Sequence, residues 1–372
     1  MTTGLRGLTW DHPRGYVVLD ALAAEDGGVR WDRQPLEGFE SRPLRTLADD
    51  YDLVVIDHPG LGEAIRDGAL RPLYTLLSGA ELAACAAGSA GSSYASYQLE
   101  GRQWALPADT AAQVAVGRPD LLTAQPRTWD DACRAAREQP TAVCLGGPHA
   151  LLMFAAICVA LGAAPACSAA DGVFADPDAG AAAAGIMADL LAHADAGLAR
   201  QNPIAILDAM AADGGPAYCP LVYGYVTYQR PRPGARALAA FDAPAGPGGI
   251  GSVLGGTGIA VTRSCTDLAA ARKQLLRLVS EDVQVRLYAE LGGQSASRTA
   301  WLDPAADTRA AGFYSATRRT IEAAWVRPRF AGYVEFQAAA SAALREGLIR
   351  GERPRVLAER VNELFVRTRR SD

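Results

Sequence analysis

At 372 residues the chain is longer than one ordinary hydrophobic core requires, which predicts two packed units. Hydrophobic residues make up 49% and charged residues 21%, the balance of a globular protein and not of a disordered one. A net charge of −5, with a single basic cluster at Arg367-Thr368-Arg369-Arg370 that reads as a solvated tail, excludes a nucleic-acid surface.

The first apolar run predicts a strand over 5–10 that stops at Asp11-His12-Pro13, with a helix over 14–25. The second, Leu53-Val-Val-Ile56, predicts a strand over 52–57 that stops at Asp57-His58-Pro59, with a helix over 59–69. Further strands are expected at 103–107, 141–145, 219–227 and 257–262. Helices are expected at 128–138, 149–162, 180–196, 203–212, 266–279, 281–291, 314–324, 330–346 and 354–367. Short apolar strands alternating with helices predict an α/β fold, its mainly parallel sheets covered on both faces. The Pro- and Gly-rich run 230–258 reads as a long loop, and the Ala/Gly-rich run 163–185 as a surface loop leading into a helix. The uncharged stretch 150–170 is broken by Gly162 and Pro165. Its strongly apolar part covers roughly half the ~20 residues of a membrane span and reads as a buried helix.

Cys85, Cys133, Cys144, Cys158, Cys167, Cys219 and Cys265 are odd in number and scattered, with no Cys-x-x-Cys pair. That pattern suits reduced, buried thiols and not a disulfide frame or a zinc site. The first twelve residues show no basic start, apolar core and small-residue cleavage site, so a cytoplasmic location is the expectation from the residues by themselves. The phosphate-loop, dinucleotide, nucleophile-elbow and His-Glu-x-x-His signatures are all absent. No cofactor and no metal is expected, and a monomer is.

Several stretches, taken in order, resemble the family 1 extracellular solute-binding proteins of ABC importers, with the type II periplasmic-binding-protein fold. They are Tyr51-Asp-Leu-Val-Val-Ile-Asp57, Gly101-Arg-Gln-Trp-Ala-Leu-Pro-Ala-Asp109, Pro126-Arg-Thr-Trp-Asp130, Gly255-Gly-Thr-Gly-Ile-Ala260 and Gly292-Gly-Gln-Ser-Ala-Ser-Arg298. The order and spacing carry the resemblance, which runs over nearly the whole chain. It implies a first lobe of 1–108 plus 258–302 and a second of 113–248 plus 313–372. The crossings would fall near 108–112, 248–258 and 302–313. It also implies a small polar ligand, a sugar or a carboxylate metabolite, in a cleft between the lobes. ABC-transporter membrane subunits would be partners, and the location would be periplasmic or extracellular.

Strand ends in open α/β sheets hold ligands, so both Asp-His-Pro triplets face the implied cleft in this reading. The other reading is local: Asp57 or His58 merely starts a helix, with Pro59 near its first position. Trp10, Asp11, His12, Asp57 and His58 are therefore candidate ligand residues. Asp109 is a candidate acceptor for a ligand hydroxyl or amine, with a turn carboxylate as the alternative. Gly146-Gly147-Pro148-His149 opens a helix whose amides, with His149, would hold an anion or hydroxyl, or else it is a simple tight turn. Tyr223 and Tyr225 share one strand face, which lines either the core or a pocket. Thr257 lies in the glycine-rich return strand. Arg298 is the candidate for a ligand carboxylate, and Trp10, Trp104 and Trp301 are candidates to stack against a sugar or an aromatic ligand, with a place in the core as the alternative for each. A binding protein without chemistry is the first functional reading. A cytoplasmic enzyme on the same fold, using Asp11, His12, Asp57 and His58, is the second.

Overall fold

The computed structural model describes residues 4–41, 43–122 and 124–369. Its main elements, in chain order, are β1 (Leu5–Trp10), α1 (Pro13–Asp26), β2 (Val29–Gln34), β3 (Leu53–Ile56), α2 (Gly79–Gly88), β4 (Ala105–Gly117), α3 (Trp129–Glu138), α4 (His149–Ala160), α5 (Pro177–His193), α6 (Pro203–Ala211), β5 (Tyr218–Tyr223), β6 (Ala239–Phe241), β7 (Leu254–Val261), α7 (Leu268–Leu278), α8 (Phe313–Ala323), α9 (Tyr333–Ile349) and α10 (Pro354–Arg369). They form two compact units. Unit 1 comprises Met1–Ala111, Gly255–Ser315 and Arg329–Ala331, and unit 2 comprises Ala112–Leu254, Ala316–Pro328 and Gly332–Asp372. The chain passes from one unit to the other inside β4, at the start of β7, within α8 and on either side of Arg329–Ala331.

In unit 1, β1 lies between β2 and β3 and is parallel to both, pairing Gly7 with Trp31 and with Leu53. β3 then pairs antiparallel with β7, Val55 opposite Ile259. Leu53 to Ile56 are all buried, as a strand covered on both faces requires. Leu8, Leu47, Val54, Ile56, Leu61, Tyr97, Trp104 and Ala260 are among the residues of one apolar cluster here. Next to β7, the first part of β4 approaches so closely that a Cβ on Gly256 would sit 2.4 Å from the Asp109 carbonyl oxygen. Gly256 also has φ of +105°, a conformation that glycine alone adopts without strain.

In unit 2, the second part of β4 pairs antiparallel with β5 and β6. All 13 residues of β4 are buried. α4 is apolar all round, and eleven of its residues are buried, so it is a core helix. α5 starts where Asp176 caps the amides of Asp178 and Ala179 with Pro177 at its first position.

The expected α/β class and most elements are present, but the expected mainly parallel pairing holds only for β1, β2 and β3, since β7 and the strands paired with β4 in unit 2 run antiparallel. The strand expected at 103–107 runs on to Gly117, because its small apolar residues fit a strand buried throughout. The stretch 141–145 is buried but is not a strand: only Thr141 makes bridges, and Leu145 N–H donates to Ala199 instead. The helix expected over 281–291 opens as a π-helix, Asp282–Leu287, in which the Gln284 amide donates to Ala108 and Leu278 carbonyls at 3.2 and 2.9 Å. β2 and α2 have no counterpart among the expected elements. β2 is a short polar strand without a long apolar run, whereas α2 has a legible signal, the reciprocal capping box of Ser78 and Glu81. The loop expected over 230–258 contains β6 and a hairpin of Ala245–Gly246 with Gly249–Ile250. Among the described residues no helix is long and apolar enough to cross a membrane.

Candidate functional site

In unit 1 both Asp-His-Pro triplets come directly after the neighbouring parallel strands β1 and β3. Their backbone roles are those of helix starts. His12 is the N-cap of α1, its Nδ1 accepting from the Arg14 amide at 3.1 Å. Asp57 caps a one-turn 3-10 helix, accepting from the His58 amide at 2.9 Å. The local reading of the triplets therefore describes their backbone.

The side chains divide sharply. Asp11 is exposed, 3.8 Å from Arg33. His12 is half-buried and lies flat against Trp10, ring centroids 5.1 Å apart and planes 7° from parallel. Trp10 is itself buried, with Phe39 5.7 Å away. Asp57 is part-exposed and its carboxylate lies 3.3 Å from His58 Nδ1. His58 is fully buried, edge-on to Tyr97 at 6.1 Å, so it faces the interior of unit 1 and not a ligand. The triplets thus present Asp11, His12 and Asp57, while Trp10 and His58 are interior support.

Asp109 is not a free acceptor. Arg14 grips it with a two-pronged fork, Nε to Oδ2 at 2.7 Å and Nη2 to Oδ1 at 2.5 Å, and both side chains are almost sealed from water. Burial pushes the Asp109 carboxyl upward, against the opposing pull of Arg14 and the Thr257 amide. Thr257 is buried beside this pair and serves it through its backbone. Trp301, a stacking candidate with the core as its alternative, is a core residue: it packs on Tyr314 at 4.8 Å, and its indole N–H donates to the Ser295 carbonyl at 2.8 Å. Arg298 is exposed at the first position of the short helix Arg298–Leu302.

In unit 2, His149 is buried edge-on to Tyr223, ring centroids 5.7 Å apart. The half-buried Tyr223 donates its hydroxyl to the Leu254 carbonyl at 3.3 Å. Tyr225 does not share its strand face, because β5 ends at Tyr223, and it is buried against Tyr228. The amides that open α4 are mostly engaged: His149 N–H with Gly146, Leu151 N–H with the Ser341 hydroxyl at 3.4 Å, Leu152 N–H with Pro148. This favours the tight-turn alternative over an anion cradle.

Burial first, and then the charge of Arg327, push the His149 imidazole down to about 3. It is therefore neutral at physiological pH. In the unfolded chain the ring protonates near its ordinary value of 6.5, so the folded state binds fewer protons between there and about 3. The stability that follows is fully present above pH 6.5 and is lost as pH falls, by about 1.4 kcal/mol per unit. Thermal melts from pH 7 to 4 should fall more steeply for the wild type than for His149→Asn. Equal slopes would show that another group titrates.

Among the described residues no three His, Cys, Asp or Glu side chains gather as metal ligands would. Burial pushes the thiols of Cys133, Cys158 and Cys219 up to about 12, far from nucleophilic use at neutral pH. Sequence reasoning missed Arg14 and Phe39. Arg14 directly follows the first triplet, but nothing local marks it as buried.

No protein-family model and no curated protein matches the sequence. Solved structures match it along its whole length. An ABC transporter solute-binding protein from Agrobacterium radiobacter K84, in complex with ribitol, is 18% identical, with 100% of this chain and 99% of that chain covered and a TM-score of 0.82. One from Thermotoga lettingae TMO, bound with α-D-tagatose, is 16% identical over 99% and 100% of the two chains, also at 0.82. One from Agrobacterium vitis S4, with bound D-mannitol, is 15% identical over 99% and 98%, at 0.77. The likeness establishes the fold alone: the chain has the α/β fold of these solute-binding structures.

Proposed function

We propose that this chain is a solute-binding protein that closes over a small polar ligand, a polyol or a sugar, and performs no chemistry on it. The observation that carries the reading is the whole-chain likeness to solute-binding structures holding ribitol, tagatose and mannitol. The side chains support it. The accessible groups after β1 and β3 are carboxylates and an imidazole, which exchange hydrogen bonds with hydroxyls. The buried Arg14 fork is already committed to a carboxylate of its own chain, which favours a hydroxyl-rich ligand over a carboxylate one. Arg298, which is exposed, keeps the carboxylate option.

Under this reading the partners are ABC-transporter membrane subunits, and the working location is the periplasm or cell exterior. Isothermal calorimetry with ribitol, D-mannitol, D-tagatose and maltose tests it. Saturable one-to-one binding of at least one compound, recovered chemically unchanged, is the expected result. Conversion of the compound into product would instead establish the enzyme reading, and binding of none would remove the polyol and sugar assignment.

A further inference from the structure

We propose that unit 1 carries a further small-molecule site, a cleft beside α2 that takes a small organic ammonium compound with an apolar body. It lies wholly within unit 1 and does not rest on the polyol or sugar reading.

The sequence of α2 is Gly-Ala-Glu-Leu-Ala-Ala-Cys-Ala-Ala-Gly, and none of its residues is buried. A helix of this composition ordinarily packs against a core. Instead α2 is fastened at its ends. Ser78 and Glu81 cap its start, and Arg272 of α7 pairs with Glu81. Past its last turn Ser89 bridges to Ser297, and the Ala90 amide donates to the Ala296 carbonyl at 2.8 Å. Between these anchors Glu81, Ala84, Cys85 and Gly88, which share one helix face, line a cleft of about 430 Å³. Gly88 helps to keep it open. A Cβ there would meet no atom within 4 Å, and its backbone is not left-handed, so the local conformation does not demand glycine.

The volume falls within the roughly 300–1,000 Å³ of small-molecule sites. Leu276 and Val279, at the end of α7, supply an apolar wall. The rim is polar, for Glu281 and Thr299 are exposed and Ser297 is half-buried. Charge selects the occupant. Among the described residues that line the cleft there are two carboxylates, Glu81 and Glu281, and no Lys, Arg or His. Glu81 is already held by Arg272, whereas Glu281 has no ion-pair partner among the described residues. One carboxylate therefore remains to receive a cation. The Cys85 thiol lies in the same field: burial first, and then the charge of Glu81, push it upward, so it stays protonated at neutral pH. An anion would meet this field uncompensated, and a polyol would leave the apolar wall unused. An ammonium group beside Glu281, with its hydrocarbon part against Leu276 and Val279, satisfies both.

Tyramine, with 4-hydroxyphenylacetate as its anionic counterpart, probes the site through amide chemical shifts of 2H,15N-labelled protein. Tyramine should bind saturably and move the amides of α2, 276–279 and 297–299, and 4-hydroxyphenylacetate should not. Glu281→Gln should weaken tyramine about fivefold, the size of one exposed charge contact. Ala84→Phe, which fills the cleft, should abolish tyramine binding and leave the binding of any polyol or sugar unchanged. Glu281 is exposed, so its variant decides the matter should Ala84→Phe not fold. Absence of tyramine binding overturns the proposal. So does binding that Glu281→Gln leaves intact, or that 4-hydroxyphenylacetate equals. If Ala84→Phe instead breaks a dimer of the wild type, the α2 face belongs to a second copy of the chain and the proposal fails as well.

Discussion

Replacing Phe336 by alanine should cost unit 2 about 3–5 kcal/mol, the range for truncating a large buried aromatic. Phe336 is 1% exposed. It meets Phe174 at 5.0 Å and Phe365 at 5.2 Å between ring centroids, and Phe174 in turn meets Trp325 at 6.4 Å. These four rings come from the three separate chain segments that build the unit. The cluster therefore ties α9 and α10 to the rest of unit 2 as well as filling its core. Removing the central ring leaves a cavity among aromatic neighbours that cannot collapse freely, so the cost lies well above that of simple transfer to water. Urea unfolding, followed by near-ultraviolet circular dichroism, measures it. A loss below about 1 kcal/mol would show that the surrounding rings close the gap and that the segments are held by other contacts.

Arg14→Ala should be of similar size, about 3–5 kcal/mol at pH 8, for a different reason: it strands the Asp109 carboxylate in a sealed site. Burial already pushes that carboxyl upward, and Arg14 is the chief opposing influence. Without it the folded-state value rises further while the unfolded value stays ordinary. The folded variant then binds more protons than the unfolded chain above the ordinary carboxylate range, so its stability declines as pH rises. The deficit relative to wild type should therefore be smaller at pH 5 than at pH 8. Paired urea curves at the two pH values check this, and a deficit that grows on acidification would contradict the burial argument. Asp109→Leu in the Arg14→Met background should recover most of the loss, since no charge then remains in the site.

The sequence by itself determined the elements whose causes are local. The apolar runs of β1 and β3 and the Asp-His-Pro punctuation after each were legible because strand and helix signals span only a few residues. The all-apolar character of α4 was legible for the same reason. The resemblance, carried by the order of several such stretches, extended this to the fold.

Tertiary structure alone decided which polar side chains stay accessible. Asp57 and His58 are adjacent in the chain, yet one side chain is part-exposed and the other is fully buried beside Tyr97. Asp109 reads as a free carboxylate until Arg14, 95 residues earlier, folds against it. Trp301 and Tyr225 carry ordinary stacking chemistry and spend it in the cores of their units, on Tyr314 and Tyr228. The physical reason is common to all of these. Local propensity fixes where a backbone goes, whereas the partner of a charge or a ring is set by burial, and burial depends on segments far away in sequence.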